Sequence, residues 1–120
     1  MLLAGLGPER LKQYFDTAKL DALTENTVTD PQKLRTLIEE ARRNGYSAVG
    51  DELAYGVIAL AVPVIDHHGR VVAALNSSSH SGRMTRTKLI RGRLSMLQQV
   101  SSKISADLAT VPGLSLSAQV

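Results

Sequence analysis

The sequence has no cysteine and no tryptophan. Without thiols, disulfides, thiolate catalysis and cysteine-ligated zinc are all excluded. Aromatic rings are scarce, limited to Tyr14, Phe15, Tyr46 and Tyr55, whereas a single-strand nucleic-acid binder uses rings as stacking platforms. No apolar run approaches the roughly 18 residues that a membrane-spanning helix needs. The longest, Val57 to Ile65, contains Pro63 and has the length of a strand. The opening residues MLLAGLGPERL lack the basic start and cleavage site of a secretory signal. A cytoplasmic protein without a membrane partner is expected. Phosphate-cradling glycine loops are missing too, because the glycines are dispersed at the ends of elements. There is no G-x-S-x-G elbow to present a serine nucleophile, and no internal repeat.

What is present suits one small domain with a modest core: 120 residues, 43% hydrophobic and 21% charged. The net charge of +3 is too mild to argue for a nucleic-acid partner. Leu2, Leu3 and Leu6 suggest an apolar helix already under way at the first residue. Gly7-Pro8 breaks it and starts a short helix to about Thr17, with Leu11 and Phe15 four apart on one face. The polar stretch 20–28 has no clear period and is predicted to be extended.

Asp30-Pro31 predicts a sharp helix start, an N-cap acceptor followed by a residue that needs no N–H partner. Leu34, Leu37, Ile38 and Ala41 mark its buried face. Arg42 and Arg43 suit the negative end of the helix dipole, and Gly45 suits a left-handed C-cap. The period then changes to that of strands: 46–49, a polar connection, and Val57 to Ile65, where Pro63 points to a sheet edge or a bulge. Asp66-His67-His68-Gly69 reads as a turn, and 70–78 as the returning antiparallel strand. Thr85 caps a helix to about Ala109 with an apolar stripe of Leu89, Ile90, Leu94, Leu97, Val100, Ile104 and Leu108. The whole is an α+β domain, a small antiparallel sheet with helices packed on one face. Residues 1–111 form the domain and 112–120 a flexible tail.

Few residues suggest chemistry. Neighbouring His67 and His68 in a turn rarely converge on one metal, and no carboxylate pair is spaced to complete a site, so neither metal nor cofactor is expected. Ser77 to Ser79 and His80 lack a positioned acid, so catalysis is not expected either. The basic cluster of Arg83, Arg86, Lys88, Arg91 and Arg93 could contact phosphates, but the adjoining apolar stripe puts it on the solvated side of its helix. What stands out is VVAALNSSSHSG, residues 71–82, an apolar run that passes directly into hydrogen-bonding side chains. Asn76 and Ser78 share one face of that strand, Ser77 and Ser79 the other. Inward-facing polar groups need partners. From the strand alone, a small ligand, backbone groups and water are equal candidates.

The segment GYSAVGDELAYGVIALAVPVID, with Gly45, Glu52, Ala59, Leu60, Ala61, Val64 and Asp66, resembles the C-terminal signature of the IclR family of bacterial transcriptional regulators. VVAALNSSSHSGRMT resembles the family's next strand, loop and helix cap. The A-L-N-x-S-x-H-x-x-R arrangement is most similar to the branch that responds to aromatic acids such as protocatechuate or 4-hydroxybenzoate. The resemblance implies a GAF-like, incomplete effector-binding domain that senses a small organic acid and modulates DNA binding by the full-length protein. It also implies site residues. Asn76 and Ser78 stand where polar strand-end groups hold the effector carboxylate, Ala59 at a small-residue position facing the pocket, and Val49 at another lining position. Where the branch often reads Arg-Ser this chain has Ile58-Ala59, which implies a less polar effector. Family members carry an N-terminal helix-turn-helix and assemble as dimers or tetramers. The chain is expected to begin part-way into the ligand domain, to self-associate, and to reach DNA only through a helix-turn-helix domain that it lacks. The alternative is an interaction or oligomerisation module with no small-molecule ligand.

Overall fold

A computed structural model describes residues 1–111 and Gly113. The expected tail, 112–120, therefore lies outside the described residues but for Gly113. Its elements are a 3-10 turn Leu3–Gly5, helix α1 Pro8–Thr17, helix α2 Pro31–Asn44, strands β1 Ser47–Gly50, β2 Val57–Ile65 and β3 Val71–His80, and helix α3 Arg86–Ala109. The fold is α+β, with one antiparallel sheet in the order β1-β2-β3.

The sharpest boundaries come from local chemistry. The Asp30 carboxylate accepts from the Gln32 N–H, and Gly45 closes α2 at φ 74°, a left-handed conformation that costs glycine little. Thr85 accepts from the Lys88 N–H and opens α3. Asp66 organises the hairpin turn, accepting from the N–H groups of His68 and Arg70, both at 2.9 Å. The helix expected at the first residue is shorter than its leucines suggest, a single 3-10 turn. Gly5 lies so close to Val71 that a Cβ there would come within 2.4 Å of it. Gly7 is then extended ahead of Pro8.

Alternation along β2 sets the sheet's two faces. Ile58, Leu60, Val62 and Val64 are all at most 3% exposed, and Ile58 and Leu60 pack with Leu89 of α3. Helix α3 lies against this face. A second, smaller core gathers Ala4, Ile38 and Ala41 with Leu11, Phe15 and Leu34, and Arg42 ties it by donating to the carbonyls of Ala4 and Leu6 at 2.9 and 3.2 Å.

Pro63 sits in the middle strand, not on an edge strand. The register explains why it is tolerated. The Asp51 N–H bonds the Val57 carbonyl, so the backbone groups of odd-numbered β2 residues face β1. Yet β1 reaches only as far as Ala61. At Pro63 the missing N–H faces no strand, and the irregularity falls two residues later, between Val64 and Ile65.

Helix α3 replaces the absent strand there. The Ser101 hydroxyl donates to the Pro63 carbonyl, and Ser105 Oγ accepts from the Ile65 N–H at 3.1 Å. This corrects the expected apolar stripe: Val100 is 41% exposed, while Ser101 is buried. A backbone acceptor, not an apolar surface, faces the helix at that turn. The stretch 20–28 is not an extended strand either. It folds into turns, and the hydroxyls of Thr24 and Thr27 donate to the carbonyls of Asp51 and Glu52.

Candidate functional site

The face of the sheet turned away from α3 carries the residues of interest. In the register, Val49 stands opposite Ala59, and Ala59 opposite Ser78. The three form one row across β1, β2 and β3, as directly opposed residues whose side chains are neighbours. Asn76 lies opposite Ala61, one step along the same face. Its Nδ2 donates to Ser78 Oγ at 3.4 Å. Asn76, Ser78 and Val49 are exposed, and Ala59 is half-buried beneath them.

This surface has a graded character. Asn76 and Ser78 form a polar lip, with amide and hydroxyl donors and no charge. Ala59, Ala61 and Ala74 form a floor of small side chains. At the Ala61 and Ala74 end, a cavity of about 340 Å³ is walled by Leu2, Leu3 and Tyr14. A small molecule with an anionic or hydroxylated end and an apolar body matches that order of surfaces.

His80 extends the row, because it shares the parity of Asn76 and Ser78 on β3. Sequence reasoning set it aside; its even position in the strand was the available signal. Its ring closes the row over Gly56, where a Cβ would come within 2.6 Å of Nε2. Its Nδ1 accepts from the Gly82 N–H at 3.0 Å. Ser79 faces the other side of the sheet, so Ser79 and His80 cannot act as a nucleophile–base pair.

Ile58 points into the α3 core at 2% exposure. Of the Ile58-Ala59 pair, only Ala59 faces this site, and only that position can alter its polarity directly.

The basic cluster is partly committed elsewhere. Arg93 Nη1 donates to Ser77 Oγ at 2.7 Å and to the Ser78 carbonyl at 3.2 Å. The stem of Arg86 lies 3.5 Å from where a Cβ on Gly50 would stand. A cleft of about 670 Å³ runs along the outer edge of β1 between α2 and the start of α3. Of the four candidate residues only Val49 lines it. Its charges are mixed, Lys33 and Arg86 against Glu40, Asp51 and Glu52, and the Asp51 and Glu52 carboxylates already accept from the N–H groups of Gly56 and Val28. That mixture does not select an acid. Among the described residues no three His, Asp or Glu side chains converge as metal ligands. Nor is any helix among them long and apolar enough to cross a membrane.

Comparison with known proteins gives a consistent picture. The family described as bacterial transcriptional regulator IclR, C-terminal, matches residues 1–106. The Pca regulon regulatory protein of Pseudomonas putida is 38% identical over 108 residues, covering 90% of this chain and 37% of that protein. The regulator KdgR of Escherichia coli K12 is 31% identical over 90% of this chain and 41% of its own length. The chain thus spans about two fifths of these relatives.

Among solved structures, a transcriptional regulator from Rhodococcus sp. RHA1 superposes with a TM-score of 0.87 at 32% identity, over 91% of this chain and 44% of that one. The inducer-binding domain of the transcription factor PobR from Acinetobacter, a double mutant in complex with 3-hydroxybenzoic acid, superposes at 0.81 with 31% identity. It covers 87% of this chain and 59% of that domain.

Proposed function

Because this chain belongs to the IclR family of bacterial transcriptional regulators, by its C-terminal domain, we propose that the open sheet face is one wall of an effector site. The function is binding, not catalysis, and residues 1–111 are the binding unit. A small organic acid, aromatic by analogy with the hydroxybenzoate held by the PobR domain, sets its carboxylate between Asn76 and Ser78. Its ring lies over Ala59 and the alanine floor, with Val49 bounding the row. Occupancy then shifts the balance between conformations or assemblies of the full-length regulator. DNA is reached through a helix-turn-helix segment outside this chain, in the cytoplasm.

The observation that carries this reading is the row itself. Four positions picked from the sequence fall on one face, in register across three strands, and the two polar ones touch. Self-association is supported separately by Met96 and Val100, four apart on α3 and 64% and 41% exposed. Such a pair on an otherwise polar helix face suits burial against a second copy.

Calorimetry with 3- and 4-hydroxybenzoate and short aliphatic acids tests the effector reading. One of the acids should bind. Asn76→Ala combined with Ser78→Ala should weaken that binding about tenfold or more, the value of a charge-assisted hydrogen bond or two. Binding of no acid, or affinity unchanged in the double variant, would refute the assignment.

A further inference from the structure

We propose that Arg93 is a specificity-determining residue for the effector site, giving its neutral lip a cationic backing from behind the sheet. This rests on the reading of the open face as an effector wall. Asn76 and Ser78 carry no charge, so on their own they discriminate poorly between a carboxylate and a neutral amide of the same shape. A fixed cation of α3 reaches this lip from the opposite side of the sheet. Arg93 Nη1 donates to Ser77 Oγ at 2.7 Å and to the Ser78 carbonyl at 3.2 Å. The second contact places the guanidinium on the same residue whose hydroxyl faces the ligand.

Three features make this more than a packing contact. First, alternation leaves the Ser78 carbonyl on the outer edge of β3. Ser77 and Ser79 stand opposite Leu60 and Ile58, whose even-numbered backbone groups face β3, so Ser78's own groups turn outward. Arg93 therefore holds an edge carbonyl that no strand of the sheet engages, and fixes the pose of the strand end. Second, both hydrogen-bond acceptors of Arg93, the Ser77 hydroxyl and the Ser78 carbonyl, are neutral, so neither of them cancels its charge. Third, the two lip side chains are themselves loosely held: Asn76 reaches Ser78 at 3.4 Å, and both residues are exposed. A cation one residue behind the lip adds attraction for an anion and none for a neutral analogue.

The test compares wild type, Arg93→Met and Arg93→Lys, each binding 3-hydroxybenzoate and 3-hydroxybenzamide, at two salt concentrations. Wild type should prefer the acid. In Arg93→Met the acid should weaken about tenfold while the amide stays within about threefold, and Arg93→Lys should restore most of the preference. An equal loss for both compounds marks a purely structural residue and overturns the proposal, as does no loss for either.

A second measurement needs no ligand. In the unliganded chain, the Asn76 side-chain amide and Ser78 backbone amide resonances should move in Arg93→Met and return in Arg93→Lys. Ser77→Ala, which removes one acceptor, should move them less. Resonances that ignore Arg93→Met overturn the proposal even where the wild type binds neither compound, an outcome that by itself would refute only the effector reading.

Discussion

The two faces of the sheet are made by the same three strands and differ in almost everything else. Toward α3, Ile58, Leu60, Val62 and Val64 pack to near-complete burial. One residue away at each step, Val49, Ala59, Asn76 and Ser78 stand in the open or half-buried. The period of two lets one strand serve two purposes, because neighbouring residues share no surroundings. Burial is concentrated on one face, and the proposed effector wall occupies the other. Substitutions should therefore separate the two properties, which a single mixed core would not allow.

The largest effect should come from the packed face. Leu60 and Leu89 are both fully buried and belong to one cluster, so Leu60→Ala removes contacts that cannot easily be refilled. A loss of about 2–5 kcal/mol is expected in chemical denaturation. In a domain of this size that is a large share of the whole. A loss below about 1 kcal/mol would mean that this face is not the stabilising one, and the contrast between faces would collapse.

A smaller effect should follow at the end of the same face, where packing gives way to hydrogen bonding. Ser101→Ala leaves the Pro63 carbonyl without its donor, at a cost of about 1–2 kcal/mol. Ser105→Ala should cost less, because its acceptor role serves Ile65, which is 37% exposed. Equal effects of the two, measured by thermal melting, would contradict the account of α3 as a substitute strand.

These serines also show what the sequence could and could not reveal. Caps at Asp30, Gly45 and Thr85 were legible because each depends on residues within a turn of it. The shared face of Asn76 and Ser78 followed from strand parity alone. The row joining Val49, Ala59 and Ser78 did not, since it needs the register of two hairpins. Family resemblance could name its members but not set them side by side. Val100 reads as part of the buried stripe because hydrophobicity is an average property, whereas Ser101 is buried for one particular carbonyl. The same holds for Arg93 and Ser77, and for Thr24 and Thr27. Each satisfies a partner 16 or more residues away, and no local pattern announces such a partner. Pro63 gave a true signal with an ambiguous address: it marked not an edge strand but the place where β1 stops.

The hairpin turn belongs to neither face, and charge rather than burial holds it. Burial, which leaves the Asp66 side chain 11% exposed, pushes its carboxyl up. The N–H groups of Arg70 and His68 and the Arg70 guanidinium outweigh that and hold it at about 2, below its ordinary 3.8. A lowered folded-state value means that the unfolded chain binds the proton more readily. The stabilisation is then fully present above about pH 4 and is lost as pH falls toward 2. Both packed clusters are built of uncharged side chains, so acidification between pH 4 and 2 should not weaken them directly. Asp66→Asn should lower stability modestly at neutral pH and flatten its dependence between pH 4 and 2, while Leu60→Ala should shift the whole curve down without changing its slope there. Parallel curves for wild type and Asp66→Asn would show that the turn contributes through its glycine and backbone alone. The hairpin would then be held in register by the packed face, and the contrast between the two faces would extend to the turn that joins the strands.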